Sequence, residues 1–197
     1  AGGWKLDEAD LKFLEWGAGI HEIGLAIAHA QYHRHGAYLI AHSDMAGFSR
    51  EDQARLALLV RSHRRKYPLA DLAAVADDER DKVMRLCILL RLAILMNRSR
   101  LYASLPEINA RADTEAILLD FPAGWLDNNP LTRTDLESEA GYMKAIGYKL
   151  ITGHEPDAVR NMKRSPVTGW LSGAPFSFQS GISSFRERGS STAPDRM

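Results

Sequence analysis

A single cysteine, Cys87, stands in a chain of 197 residues. A lone thiol has no partner within the chain, so a disulfide scaffold is excluded and a reducing compartment is expected. Net charge is also missing, because 25 Lys and Arg balance 25 Asp and Glu. No overall field gathers a polyanion, so nucleic acid is not an expected partner and any anion binding must be local. Long apolar runs are absent. The most hydrophobic stretch, Val83 to Met96, is shorter than the roughly 20 residues that cross a bilayer and contains Arg85 and Arg91, so no membrane span is expected. The first ten residues carry Lys5, Asp7, Glu8 and Asp10 without an apolar core, so neither a secretion signal nor a transit peptide is expected, and the expected location is cytoplasmic. A Gly-rich phosphate loop and a Gly-x-Ser-x-Gly elbow are missing as well, and Cys87 between Leu86 and Ile88 reads as an inert buried thiol.

What is present is a globular composition, 45% apolar and 25% charged, arranged mostly at helical spacing. Leu11, Leu14, Ala18, His21 and Leu25 predict a helix from Asp7 to about Gly24, with Gly24 as a left-handed cap and His21 facing inward. A second short helix is expected over His33 to His42. Ser49 and Asp52 form a helix-start signal for a third, whose face holds Leu56, Leu59, Val60, His63 and Tyr67 and which Pro68 stops. A short helix over Asp71 to Asp78 and a long central one over Asp81 to Asn97 follow. Beyond Pro106 the texture changes: Ala116 to Phe121 reads as a strand, about Pro130 to Ala145 as a helix and Tyr148 to Ile151 as a second strand. The expected fold is mainly α, a helical bundle over 1–104 with a small α/β element over 105–151. Residues 152–197, rich in Ser, Gly and Pro, bury too little apolar surface to order and are expected to form a flexible tail.

Three groups of residues invite a chemical reading. Five of the seven histidines lie between His21 and His42, yet Leu25 stands where the second histidine of a His-Glu-x-x-His zinc motif belongs, so no metal site is assigned. His21 and Glu22, with His63 directed inward from another helix, form the best candidate for a polar pocket, and Arg91 is the expected counter-ion of Glu22 because a buried carboxylate requires one. Arg61, His63, Arg64, Arg65 and Lys66 concentrate cations at a helix end, where they can follow a chain of phosphoryl groups through bidentate contacts, or simply complement the helix dipole in water. Arg34, Arg98 and Arg100 are possible extensions of that patch.

The ordered blocks Trp16 to Leu25 (WGAGIHEIGL), His33 to Leu39 (HRHGAYL), Gly47-Phe48-Ser49, Leu59 to Lys66 (LVRSHRRK) and Leu90 to Arg98 resemble the C-terminal part of bacterial exopolyphosphatases, a family that includes guanosine pentaphosphate phosphatases. Trp125-Leu126, Asn129 to Thr132, Asp135 to Glu137 and Gly147 to Leu150 continue it, over about residues 4 to 150. The resemblance implies an HD-like helical domain without HD chemistry. No histidine precedes His21, Glu22 replaces the aspartate of the His-Asp pair, and Ile94 stands at the later acidic position. It also implies that hydrolysis belongs to two preceding domains, which would hold a divalent metal such as Mg, leaving no cofactor in this chain, which is expected to be a piece of a longer enzyme. The function expected on this basis is to hold polyphosphate and to form a homodimer without catalysing. A residual metal-dependent phosphohydrolase built on His21, Glu22 and His63, and a purely structural dimerisation domain, are the alternatives.

Overall fold

In a computed structural model of the chain, which describes residue 4, residues 6–97 and residues 106–153, five helices and a 3-10 turn precede a small sheet element that adds two more helices. Helix α1 spans Glu8–Ile20 and opens on a reciprocal cap, in which the Asp7 carboxylate accepts from the Asp10 N–H and the Asp10 carboxylate accepts from the Asp7 N–H. After a 3-10 turn at Ile23–Ala26 come α2 (Tyr32–His42) and α3 (Arg50–Ser62), with Ser49 Oγ accepting from the Asp52 N–H as the sequence signal predicts. Short α4 (Leu69–Ala73) leads into the central α5 (Asp77–Met96). The appended element is β1 (Asn109–Ala112), β2 (Ala116–Asp120), a single-turn α6 (Trp125–Asn128), α7 (Pro130–Lys144) and β3 (Lys149–Gly153). The sheet order is β1-β2-β3, with β1 antiparallel and β3 parallel to β2, and α7 makes the crossover. The fold is mainly α with a small α/β element.

One cluster of buried apolar side chains joins the two parts. Leu59 of α3 and Leu86, Ile88 and Leu90 of α5 pack with Ile117 and Leu119 of β2 and with Leu136 and Met143 of α7. At about 1.5–3 kcal/mol for each fully buried large aliphatic side chain, this shared core is the main stabilising term. A second, smaller cluster, built on Phe13, Ile40, Leu56 and Val60, binds α2 to α1 and α3. Helix α5 is apolar on nearly every side because α1, α3, α4 and α7 all pack on it.

Several expected boundaries shift, for local reasons. Helix α1 stops at Ile20, and His21 Nδ1 donates to the Ala18 carbonyl, satisfying a group the helix end leaves open. Gly24 is not a left-handed cap. It sits where the 3-10 turn presses on α2, and a Cβ there would lie 1.9 Å from the Tyr32 carbonyl oxygen and 2.5 Å from the Gly36 nitrogen. Helix α3 ends at Ser62 instead of running to Tyr67, because the Ser62 hydroxyl and His63 Nδ1 take up the carbonyls of Leu58 and Val60 and Arg65 turns to φ 66°. The helix expected over Asp71 to Asp78 is divided, since Arg80 donates to the carbonyls of Leu72, Ala73 and Val75 and closes α4 there. Strand β3 takes in Thr152 and Gly153, the first two residues of the expected tail; the rest of that tail, with Arg98 and Arg100, lies outside the described residues.

The two classes of glycine separate in stability. Gly24→Ala should lose about 3 kcal/mol or more, since backbone atoms cannot yield to the added methyl. Gly141→Ala, which meets nothing within 4 Å on exposed α7, should gain about 0.5–1 kcal/mol. Urea unfolding of the two variants measures both, and equal midpoints would contradict the close-approach account of Gly24.

Candidate functional site

The segment after α3 divides two clefts. The larger, about 800 Å³, is bordered by His21, Glu22 and Tyr32 on one side, by His63, Arg64 and Arg65 on another, and by Arg91 and Glu139. The smaller, about 530 Å³, is bordered by His33, Arg34, Arg61, Arg65 and Lys66. The structure therefore gathers the candidate pocket residues, Arg34 and the cationic run around this one segment, but it sorts them differently. His21, Glu22 and Arg91 do share a cleft. Of the cationic run, Arg64 belongs to the larger cleft, Arg61 and Lys66 to the smaller, and Arg65 to both.

Arg91 does not answer Glu22. Its Nε and Nη2 donate to the two carboxylate oxygens of Glu139 on α7, each at 2.6 Å, and Nη1 donates to the Ser62 carbonyl at 2.6 Å. The pair is almost wholly buried, and the Tyr67 hydroxyl also donates to Glu139 while its ring lies 4.3 Å from the guanidinium carbon. Burial alone would lower the Arg91 pKa, but the Glu139 carboxylate more than offsets it and the group stays firmly charged. Glu139 escaped the sequence reading, although Leu136, Glu139 and Met143 form one buried stripe of α7, and a carboxylate within an apolar stripe signals a buried partner.

The buried histidine of the larger cleft, His63, is a neutral acceptor. His63 is 4% exposed and burial, offset in part by its bond to Val60, pushes its pKa down to about 3. Because Nδ1 faces the Val60 carbonyl at 2.6 Å it carries the ring proton, so Nε2 is left as a buried lone pair without a partner. His21, its ring 5.3 Å from that of His63, donates from Nδ1 to the Ala18 carbonyl. His63 shares this cleft with Arg64 and Arg65, two of the four cations with which the sequence groups it, and brings to it a neutral ring in place of a charge. Arg64 is stacked 4.6 Å from the Tyr32 ring centre.

With this geometry in place, comparison with known proteins is informative. The family described as Ppx/GppA phosphatase, domain III, matches residues 3–140. The chain belongs to the Ppx/GppA phosphatase family. A Guanosine-5'-triphosphate,3'-diphosphate pyrophosphatase of Vibrio vulnificus (strain YJ016) is 33% identical over 149 residues, which is 75% of this chain and 29% of that relative. The Ppx/GppA domain thus spans less than a third of the relative's length. Among the described residues no group of three or more His, Cys, Asp or Glu side chains is placed to hold a metal ion, and Ile94, the residue that the resemblance sets at the acidic position of an HD site, borders the larger cleft. The HD metal set does not fit these residues. No helix among the described residues is long and apolar enough to cross a membrane.

Two measurements check this reading. Glu139→Ala should cost about 3–5 kcal/mol by stranding the Arg91 charge, and pairing it with Arg91→Met should recover much of that loss; additive losses in urea unfolding would mean that the two groups are not coupled. The neutral histidines also set a pH response. His33 and His63 have folded pKa values of about 4 and about 3, both below the ordinary 6.5, so the unfolded chain binds their protons more readily. Their contribution is complete above pH 6.5 and is lost as the pH falls toward 4 and then 3, by at most about 1.4 kcal/mol per pH unit for each ring. The urea midpoint should fall between pH 7 and pH 5, and His63→Phe should flatten that slope; a slope unchanged by His63→Phe would contradict the assignment.

Proposed function

We propose that this domain grips chains of phosphoryl groups, inorganic polyphosphate above all, and that the phosphoanhydride is cut by another part of the parent phosphatase. The observation that carries this reading is the position of Arg65. Its side chain borders both clefts, so cations continue from Arg34, Arg61 and Lys66 on one side to Arg64 on the other. A row of this kind suits a linear polyanion with about one charge per unit, which guanidinium groups hold by bidentate contacts and by releasing its counterions. The balanced overall charge confines the attraction to this face. Arg65 holds its left-handed conformation without being glycine, a strain that collects at functional positions.

The nucleotide in the Vibrio relative's name carries the same phosphoryl groups in shorter runs, and it would compete for the same cations. A divalent metal such as Mg is assigned to the remainder of the parent enzyme, in a cytoplasmic setting, and to no residue here. The reading as a residual HD phosphohydrolase is disfavoured because Glu139, a carboxylate bordering the same cleft as His21, Glu22 and His63, is held by Arg91, and because among the described residues no three His, Cys, Asp or Glu side chains are grouped to hold a metal ion. A homodimer is favoured by one observation: Ile23 and Leu25 of the 3-10 turn and Ile27 just after it are each more than 40% exposed, an apolar strip that a second copy would cover.

The test is a titration of fluorescently end-labelled long polyphosphate against the wild-type chain and the Arg61→Ala/Arg64→Ala/Arg65→Ala variant. Wild-type affinity should fall steeply with salt. The variant should bind at least tenfold more weakly, with a salt slope reduced by about one for each cation removed. Equal affinities and slopes would overturn the proposal.

A further inference from the structure

The smaller cleft has features that a general polyanion track does not need. We infer that it is a seat for one compact phosphoryl group, formed by the N-terminus of α2 together with Arg34, Arg61, Arg65 and Lys66. This deepens the chain-holding reading and rests on it only for the wider role of the patch; the seat itself stands on three observations.

The first is charge without compensation. Four permanent cations border the cleft and no carboxylate does. The ion pair of Arg61 with Asp71 is loose at 3.8 Å, and the Asp71 side chain is 54% exposed. Like-charge repulsion registers on the neighbours: besides burial, Arg34 pushes the Arg61 guanidinium below its ordinary value, and Arg61, Arg64, Arg34 and Arg65 together help keep the His33 ring neutral. A cluster held at that cost is relieved by a bound anion.

The second is the helix end itself. Helix α2 has 11 residues, its cap Gln31 supplies no side-chain acceptor, and no acidic residue stands in its first turn. The open N–H groups and positive dipole end of such a helix favour an anion, yet the nearby side chains here are cations. That arrangement is unfavourable for the empty helix and favourable once a dianion lies between them.

The third is His33. It is 5% exposed, borders this cleft, and its Nδ1 is buried without a partner. A neutral ring with one unspent nitrogen can donate a hydrogen bond from Nδ1 to a phosphate oxygen at no cost in charge. The two non-glycine residues with positive φ among those described, Gln31 and Arg65, also border this cleft.

The phosphoryl group can come from free orthophosphate or from the end of a phosphate chain. The experiment uses the 197-residue chain with its histidine ring nitrogens observed by NMR, and titrates orthophosphate, tripolyphosphate and long polyphosphate into wild type, Arg34→Gln and the control Arg133→Gln, whose side chain is exposed on α7. The expected result is a movement of the His33 ring signals with a ligand affinity about tenfold lower in Arg34→Gln and unchanged in Arg133→Gln. Orthophosphate acting alone identifies a seat for the free ion, and a response confined to the longer ligands identifies an end-group anchor; both support the inference. If only the chain-holding reading is wrong, long polyphosphate does not bind while orthophosphate still answers through Arg34. If the seat is wrong, long polyphosphate is retained, the His33 signals stay still, and Arg34→Gln matches Arg133→Gln for every ligand.

Discussion

A guanidinium and a carboxylate, each almost sealed from water, hold this molecule's working face in place. Arg91 of α5 binds Glu139 of α7 through two parallel hydrogen bonds and binds the end of α3 through the Ser62 carbonyl. One side chain therefore ties together three helices, two from the bundle and one from the α/β element. Such a pair contributes little net stability over an apolar replacement of the same shape, because both charges gave up their hydration. Its value lies in geometry. The fork of the guanidinium fixes where α3 ends relative to α7, and the residues immediately beyond that end are the cations Arg64, Arg65 and Lys66.

The same constraint decides what the larger cleft can be. Glu139, which borders it with Glu15, Glu22 and Asp135, is spent on Arg91, and among the described residues no group of three or more His, Cys, Asp or Glu side chains is placed to hold a metal ion. Inside the bundle the buried polar residues Arg91, Glu139, Tyr67 and Ser62 brace one another. Positive charge is displaced outward to the turn after α3, where water and a ligand can reach it. Placing like charges together costs folding energy, and the core joining α3, α5, β2 and α7 is large enough to bear it.

Much of the architecture is legible in the chain because short-range signals agree with the final packing. The Ser49 cap, the period of α3 and α5, and the apolar run of β2 each report a local fact that the fold preserves. Strand β1 is illegible for the opposite reason: Asn109, Ala110 and Arg111 are exposed, so no alternation marks them and only pairing with β2 makes them a strand. Gly24 misleads because glycine near a helix end normally means a left-handed cap, whereas here the missing side chain admits the backbone of α2. The partner of Arg91 lies 48 positions away, and nothing local states that distance; the apolar stripe around Glu139 was the available clue. The cationic run is plain in the sequence, but its division into two clefts depends on Arg65 turning left-handed, which no residue pattern announces.

Retention without cleavage is the core of this account, and one incubation reads both halves. Long polyphosphate carried through gel filtration with the purified chain, in buffer containing Mg, should co-elute with the protein at low salt, and the recovered polymer should keep its starting length on a denaturing gel. Progressive shortening of the polymer, or its complete separation from the protein, would contradict the account.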